Sequence, residues 1–263
     1  MTTNSYSFSH ALCRKPSRSI VDGLRAIDTG TPDFELFEKH HNDYVAALRS
    51  TGADVIVLDA LEEFPDAVFV EDAALCLRQG AVIMRPGAPS RMGEAAQMAS
   101  HLEQLYGEVV RISGEGFIEV GDILVTEREI LIGLSARTDK AGVAEFATLV
   151  DRWGYRVRVV ETPPDILHFK TDCSLLDEET ILATKPLDAS GCFEGYNVIH
   201  TADGEEACAN AIRFNSLLVM PAGFPRTRDT LVKAGYDVHE VGNSEAAKLD
   251  GGMSCLSLRF SPS

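Results

Sequence analysis

Near the end of this 263-residue chain, Leu249-Asp250-Gly251-Gly252-Met253-Ser254-Cys255 runs into an alternating apolar stretch, Leu256, Leu258, Phe260. Paired glycines allow positive φ or a close approach of the backbone to a ligand. A strand beginning directly afterwards fixes whatever side chain stands there. The arrangement presents one thiol beside a floor of small residues, and a thiolate is a strong nucleophile. Taken alone, Cys255 also reads as a buried small hydrophobe, which is how most free cysteines behave.

Other chemistry lies upstream. Asp66-Ala67-Val68-Phe69-Val70-Glu71-Asp72 packs three carboxylates and an aromatic ring into seven residues before an apolar run. Carboxylates this close repel, so they are either solvated or face a cation. Glu119-Val120-Gly121-Asp122 repeats the pairing of acids. His168 stands in Asp165-Ile166-Leu167-His168-Phe169-Lys170 and reads as a core histidine or as an acid/base. Arg85, Arg91, Arg137, Arg226 and Arg228 follow predicted hairpins, where they serve solubility or grip a carboxylate bidentately. Brought together, acids for a cation, arginines for a carboxylate, a histidine and a thiol suit a zwitterionic amino acid with a guanidinium-like side chain. No GxSxG elbow occurs, so a serine triad is less apt; His168 with the carboxylates offers a metal site in principle, but no H-x-x-x-H or comparable ligand spacing supports one.

A recurring unit would have to position these residues. Asp72, Asp122 and Asp172 are spaced fifty residues apart, each leading into an apolar strand, a turn and a second strand. Similar hairpins are predicted over 72–84, 121–132, 171–183 and 210–220. Helices follow over 90–105, to 153 and to 234, with further strands at 109–111, 157–160 and 238–241. The third unit shows no evident helix. A first helix is predicted from Thr31 as cap, with Pro32 at its first position, to about Leu48, followed by a strand over 54–58. Phe8 to Arg14 reads as a strand, and the Cys255–Phe260 strand can pair with this N-terminal part to complete a fifth unit. Repeats of this length point to a closed ring; an ordinary open α/β sandwich is the alternative.

Composition narrows the class. The hydrophobic fraction of 45% and charged fraction of 24% are those of a globular protein, and the net charge of −16 disfavours nucleic-acid partners while attracting cations. No apolar run reaches the ~20 residues that span a bilayer, and Met1 to Ser7 lack the basic and apolar regions of a signal peptide. Six scattered cysteines without a CxxC pair fit reduced thiols in the cytoplasm.

In this order, Phe64 to Asp72, Arg85-Pro86-Gly87-Ala88 with Ser90-Arg91, Glu119-x-Gly-Asp122, Ile132 to Thr138, Leu167-His168 and Asp250 to Phe260 resemble bacterial dimethylarginine dimethylaminohydrolases. The likeness runs from Ser17 to Phe260. It implies a single catalytic domain over 1–263 with the five-bladed α/β propeller (pentein) fold, hydrolysing methylated arginine without a cofactor or metal. The implied roles are Cys255 as nucleophile, His168 as acid and base, and Glu119 as the carboxylate orienting it. Asp72 and Glu71 would hold the guanidinium, and Phe69 would line the methyl pocket. Asp66 with the Leu24 and Leu249 backbones would hold the α-amino group, Arg91 and Arg137 the α-carboxylate, and Leu24 would ride a lid. The implied partner is a small molecule, with no nucleic acid or membrane and a homodimer left open. Arginine and agmatine deiminases, amidinotransferase-like enzymes and an inactive binding homologue are the alternatives.

Overall fold

The computed structural model describes residues 5–163 and 167–262. The residues read above at Met1–Asn4, and Asp165 and Ile166 before His168, lie outside the described residues.

The chain opens with β1 (His10–Arg14), helix α1 (Phe34–Ser50) and β2 (Asp54–Leu58). Asp33, not Thr31, caps α1: its carboxylate accepts the Leu36 N–H at 3.0 Å. A carboxylate is a stronger acceptor for the free amides of the first turn, and its charge suits the positive helix end. The next unit is β3 (Ala74–Cys76), β4 (Ala81–Ile83), α2 (Met92–Leu102) and β5 (Val109–Arg111). Then come β6 (Ile123–Val125), β7 (Ile130–Gly133), α3 (Lys140–Asp151) and β8 (Val157–Val160). The third unit keeps a one-turn helix, α4 (Lys185–Asp188), between β9 (Cys173–Leu175), β10 (Thr180–Ala183) and β11 (Asn197–His200). The fourth has β12 (Ile212–Phe214), β13 (Leu217–Pro221), α5 (Pro225–Lys233) and β14 (Asp237–Val241). After a short α6 (Ser244–Ala247), the chain reaches β15 (Leu258–Phe260).

These strands form five three-stranded sheets of one design. In each, the middle strand pairs antiparallel with an inner strand and parallel with the outer one that follows its helix. The first sheet takes its inner strand from the far end of the chain: β15 pairs antiparallel with β1, His10 opposite Phe260 and Leu12 opposite Leu258. The expected closure of the ring therefore holds, and the fold is a five-bladed α/β propeller.

Apolar alternation explains the inward faces, and the core fills the gaps between blades. Phe260 stacks on His10 in its own blade and tilts against Tyr106 of the next, with centroids 5.5 and 5.7 Å apart. Tyr44 of α1 is fully buried and donates its hydroxyl hydrogen to the Met253 carbonyl at 3.0 Å. Helix α1 thereby braces the segment that carries Cys255. Among the described residues no helix is long and apolar enough to cross a membrane.

Candidate active site

Each inner strand is preceded by a short 3₁₀ turn: Val70–Ala73, Val120–Asp122, Phe169–Thr171, Glu206–Ala209 and Ser254–Leu256. They gather at one end of the ring. The turn Val70–Ala73 touches both Ser254–Leu256 and Val120–Asp122, and Phe169–Thr171 touches Val120–Asp122 and Glu206–Ala209. Glu119 and His168 immediately precede two of these turns, and Cys255 lies inside another. The recurring aspartates stand at or beside the ends of theirs. Asp72 accepts the Gly121 N–H at 3.1 Å, and Asp122 accepts the Phe169 N–H at 2.9 Å and the Ser135 hydroxyl at 2.6 Å. Asp172 accepts the Thr184 hydroxyl at 2.9 Å and holds its own blade together.

His168 Nε2 is 2.7 Å from Glu119 Oε2. Glu119 is wholly buried; its other oxygen accepts the Gly87 N–H at 2.9 Å and lies 3.5 Å from the Arg137 guanidinium. The imidazole lies against Gly121, where a Cβ would come within 2.7 Å of His168 Cγ, so a side chain there would displace the ring. Burial disfavours the imidazolium, but the hydrogen bond to Glu119 and the charges of Asp72 and Asp122 outweigh it and raise the pKa to about 9. His168 therefore carries a proton at neutral pH.

Cys255 is half-buried, with the Gly252 N–H 3.5 Å from its sulfur. Burial first, then Asp72 and Glu71, push the thiol up to about 11, against the opposing pull of the Gly252 amide and Lys170. The resting site thus pairs a neutral thiol with a charged imidazolium.

Nine of the eleven residues to which the resemblance gives a role line one cavity of about 40 Å³: Leu24, Asp66, Phe69, Asp72, Arg91, Arg137, His168, Leu249 and Cys255. Glu119 joins them through His168. The Leu24 loop is tied down at the cavity's rim: the Leu24 N–H donates to Asp66 at 3.0 Å, and the Ala26 N–H donates to Asp250 at 2.6 Å. A larger cavity of about 340 Å³ runs between the inner strands, but neither Cys255 nor His168 lines it.

Several placements differ from expectation. Glu71 lines that larger cavity, bonded to Lys170 at 2.6 Å and to Arg259. Three residues per turn send neighbours 71 and 72 about 120° apart, so only Asp72 faces the small cavity. Arg91 is buried and its fork is already engaged, by Asp72 at 2.6 Å, Glu94 at 2.7 Å and the Phe69 carbonyl at 2.9 Å. Arg137, a quarter exposed, is the more open of the two. Arg85 lies over Phe117 and donates to the Glu115 and Gly116 carbonyls, while Arg226 and Arg228 pair with Glu205 and Asp229, all away from the site. Glu94 and Lys170 were not singled out by sequence; the nearest signals are the Arg91–Glu94 helical spacing and the place of Lys170 two residues after His168. Asp72, Glu119 and His168 each bring one ligand atom within 4.8 Å of the others, as a cation would need. Their atoms already serve Arg91, Gly121, Gly87 and one another.

A family model described as N,N dimethylarginine dimethylhydrolase, eukaryotic, matches residues 35–171. The N(G),N(G)-dimethylarginine dimethylaminohydrolase of Pseudomonas aeruginosa is 40% identical over 254 residues, covering 96% of this chain and all of its own. The structure of a cysteine-to-serine mutant of DDAH from Pseudomonas aeruginosa, complexed with citrulline, superposes with a TM-score of 0.94 at 39% identity, over 97% of this chain and 100% of that one. A dimethylarginine dimethylaminohydrolase in adduct with S-methyl-L-thiocitrulline matches with a TM-score of 0.93 at 39% identity, over 96% and 100%. This chain belongs to the dimethylarginine dimethylaminohydrolase family.

Proposed function

We propose that the protein hydrolyses asymmetric dimethylarginine and monomethylarginine to citrulline, releasing dimethylamine or methylamine, through a covalent intermediate on Cys255 and without a cofactor. One observation carries the reading: His168, oriented by buried Glu119, borders the same cavity as the Cys255 thiol and the Asp72 carboxylate. The similar structures hold citrulline or a thiocitrulline adduct.

The cavity of about 40 Å³ is far below the ~300–1,000 Å³ of ordinary ligand pockets, so the Leu24 loop opens to admit substrate. Once bound, the guanidinium sits beside the sulfur and favours the thiolate, the thiol proton leaving to solvent. Asp72 keeps lone pairs for the guanidinium nitrogens, since a carboxylate offers about four acceptor sites. Asp66 exchanges the Leu24 amide for the substrate's amino group, Arg137 with Arg91 holds its carboxylate, and Phe69 walls the methyl groups. Sγ then attacks the guanidinium carbon. His168 gives its proton to the departing amine, leaving a thiouronium and a neutral imidazole. That imidazole takes a proton from water as the oxygen attacks the same carbon, the C–S bond breaks, and citrulline forms with the thiolate restored.

The whole chain is taken as one catalytic unit. Six free cysteines support a cytoplasmic setting, and a homodimer is the assembly that light scattering would check. The test of function is citrulline release from dimethylarginine, monomethylarginine and arginine side by side, with the amine assayed in parallel. Citrulline and dimethylamine from the first, with arginine nearly inert, are expected. Ammonia and citrulline chiefly from arginine would move the protein to the deiminases, and turnover surviving in Cys255→Ser or His168→Ala would overturn the mechanism.

A further inference from the structure

Two of the turns that aim this site are held by a side chain of the preceding blade. Asp72 clasps Gly121, two residues after Glu119; Asp122 clasps Phe169, the residue after His168. The third clasp is not an aspartate. Asn210, directly after the Glu206–Ala209 turn, accepts the Ser254 N–H on Oδ1 at 2.9 Å, and its carbonyl accepts the Met253 N–H at 3.4 Å. Its amide lies flat against Gly252, where a Cβ would come within 2.3 Å of Asn210 Cγ. Gly252 is also the residue whose N–H faces the Cys255 sulfur. Asn210 is buried and belongs to neither the lining of the small cavity nor the mechanism above.

The three clasps sort by charge. Asp72 and Asp122 act on a histidine that must hold a positive charge. Cys255 must become negative, and the charges of Asp72 and Glu71 on Val70–Ala73 already oppose this, offset in part by Lys170 of Phe169–Thr171; His168 borders the same cavity as the sulfur. Arg259 of β15, the strand that follows Cys255, is spent on Glu71. We infer that Asn210 is the positioning residue of the nucleophile, fixing the Gly252–Cys255 segment through its amide without adding a further carboxylate beside the sulfur. The inference rests on Cys255 being the nucleophile.

Two variants test it, each followed by thermal melting, by steady-state kinetics on dimethylarginine, and by the pH dependence of Cys255 alkylation with iodoacetamide, located by peptide mass spectrometry. Iodoacetamide reacts with the thiolate, forming a C–S bond as iodide leaves, and needs no substrate. Asn210→Ala is expected to lower kcat by about 10²-fold with KM little changed, as a shift of ~1 Å in a reacting atom does. Asn210→Asp keeps the acceptor and the melting temperature. It moves the alkylation midpoint up by about one pH unit, the smallest effect of a new neighbouring carboxylate. An Asn210→Ala protein with kcat within twofold of the parent overturns the inference, as does an Asn210→Asp protein with an unmoved alkylation profile. If Asn210→Ala does not fold, the aspartate variant decides. A parent protein that releases no citrulline would remove the proposed reaction, while the alkylation profiles would still report on the clasp.

Discussion

Replacing Glu119 by Gln removes one buried charge and almost no volume. Its carboxylate is wholly buried and 2.7 Å from His168 Nε2, and that hydrogen bond is the largest of the influences raising the histidine. The rise from 6.5 to about 9 is worth roughly 3 kcal/mol in favour of the imidazolium, at 1.36 kcal/mol per pH unit. Asp72 and Asp122 remain in the variant, so part of the rise survives. Loss of one charged partner at this range lowers the midpoint by about 1–3 pH units. A histidine raised in the folded state stabilises it fully below its unfolded pKa of 6.5, and this stabilisation is lost as pH climbs through about 9. The parent should therefore outlast Glu119→Gln most clearly below pH 6.5, with the gap in melting temperature closing towards pH 9. An NMR titration of the His168 ring gives the midpoint directly, and turnover at neutral pH should fall along with the protonated fraction. The same ring midpoint in both proteins, or a melting gap that ignores pH, would refute the argument that Glu119 holds the proton on His168.

Gly121→Ala places a methyl 2.7 Å from His168 Cγ; turnover should drop by at least about 10²-fold while circular dichroism stays unchanged. Arg137→Ala, which removes the partly exposed arginine of the cavity, should raise KM by roughly 10–100-fold, the worth of a charged hydrogen bond, with a smaller change in kcat. Phe260→Ala, which empties a buried site shared by two blades, should cost about 3–5 kcal/mol in urea unfolding without altering the chemistry of the site in the protein that remains folded.

Much of the fold was legible because it is written as a repeat. The aspartates at 72, 122 and 172 mark three equivalent turns, and the Cys255–Phe260 run reads as a strand in want of a partner; only Leu258–Phe260 is strand, and Cys255 stands in the turn ahead of it. The pattern failed where a blade shrinks. With its helix cut to Lys185–Asp188, the third unit gave no period to announce β11, whose Asn197-Val198-Ile199-His200 alternates too briefly to be noticed. Residue type disclosed the ionisable groups but not their direction. Glu71 and Asp72 are chemically alike and adjacent, yet the tight turn separates them into different cavities. Arg91 reads from the sequence as a grip for a substrate carboxylate, whereas Glu94, one helical turn on, and the buried Asp72 engage its guanidinium from two sides. Asn210 escaped altogether: a neutral amide in the sequence does not say which backbone N–H it will hold.

The pairing of β1 with β15 joins His10 to Phe260, positions 250 residues apart. At ~5–20 residues per second, a ribosome takes about 12–50 s to lay down that interval. Until then the first blade lacks its inner strand, and the thiol three residues ahead of β15 does not exist. Glu119, His168 and the aspartates can all fold into place earlier, yet they enclose nothing that reacts. Completion of the ring and arrival of Cys255, the proposed nucleophile, are one event, so on that reading a chain halted early on the ribosome is inert rather than half-active, and its open blade exposes a strand edge free to pair with another chain.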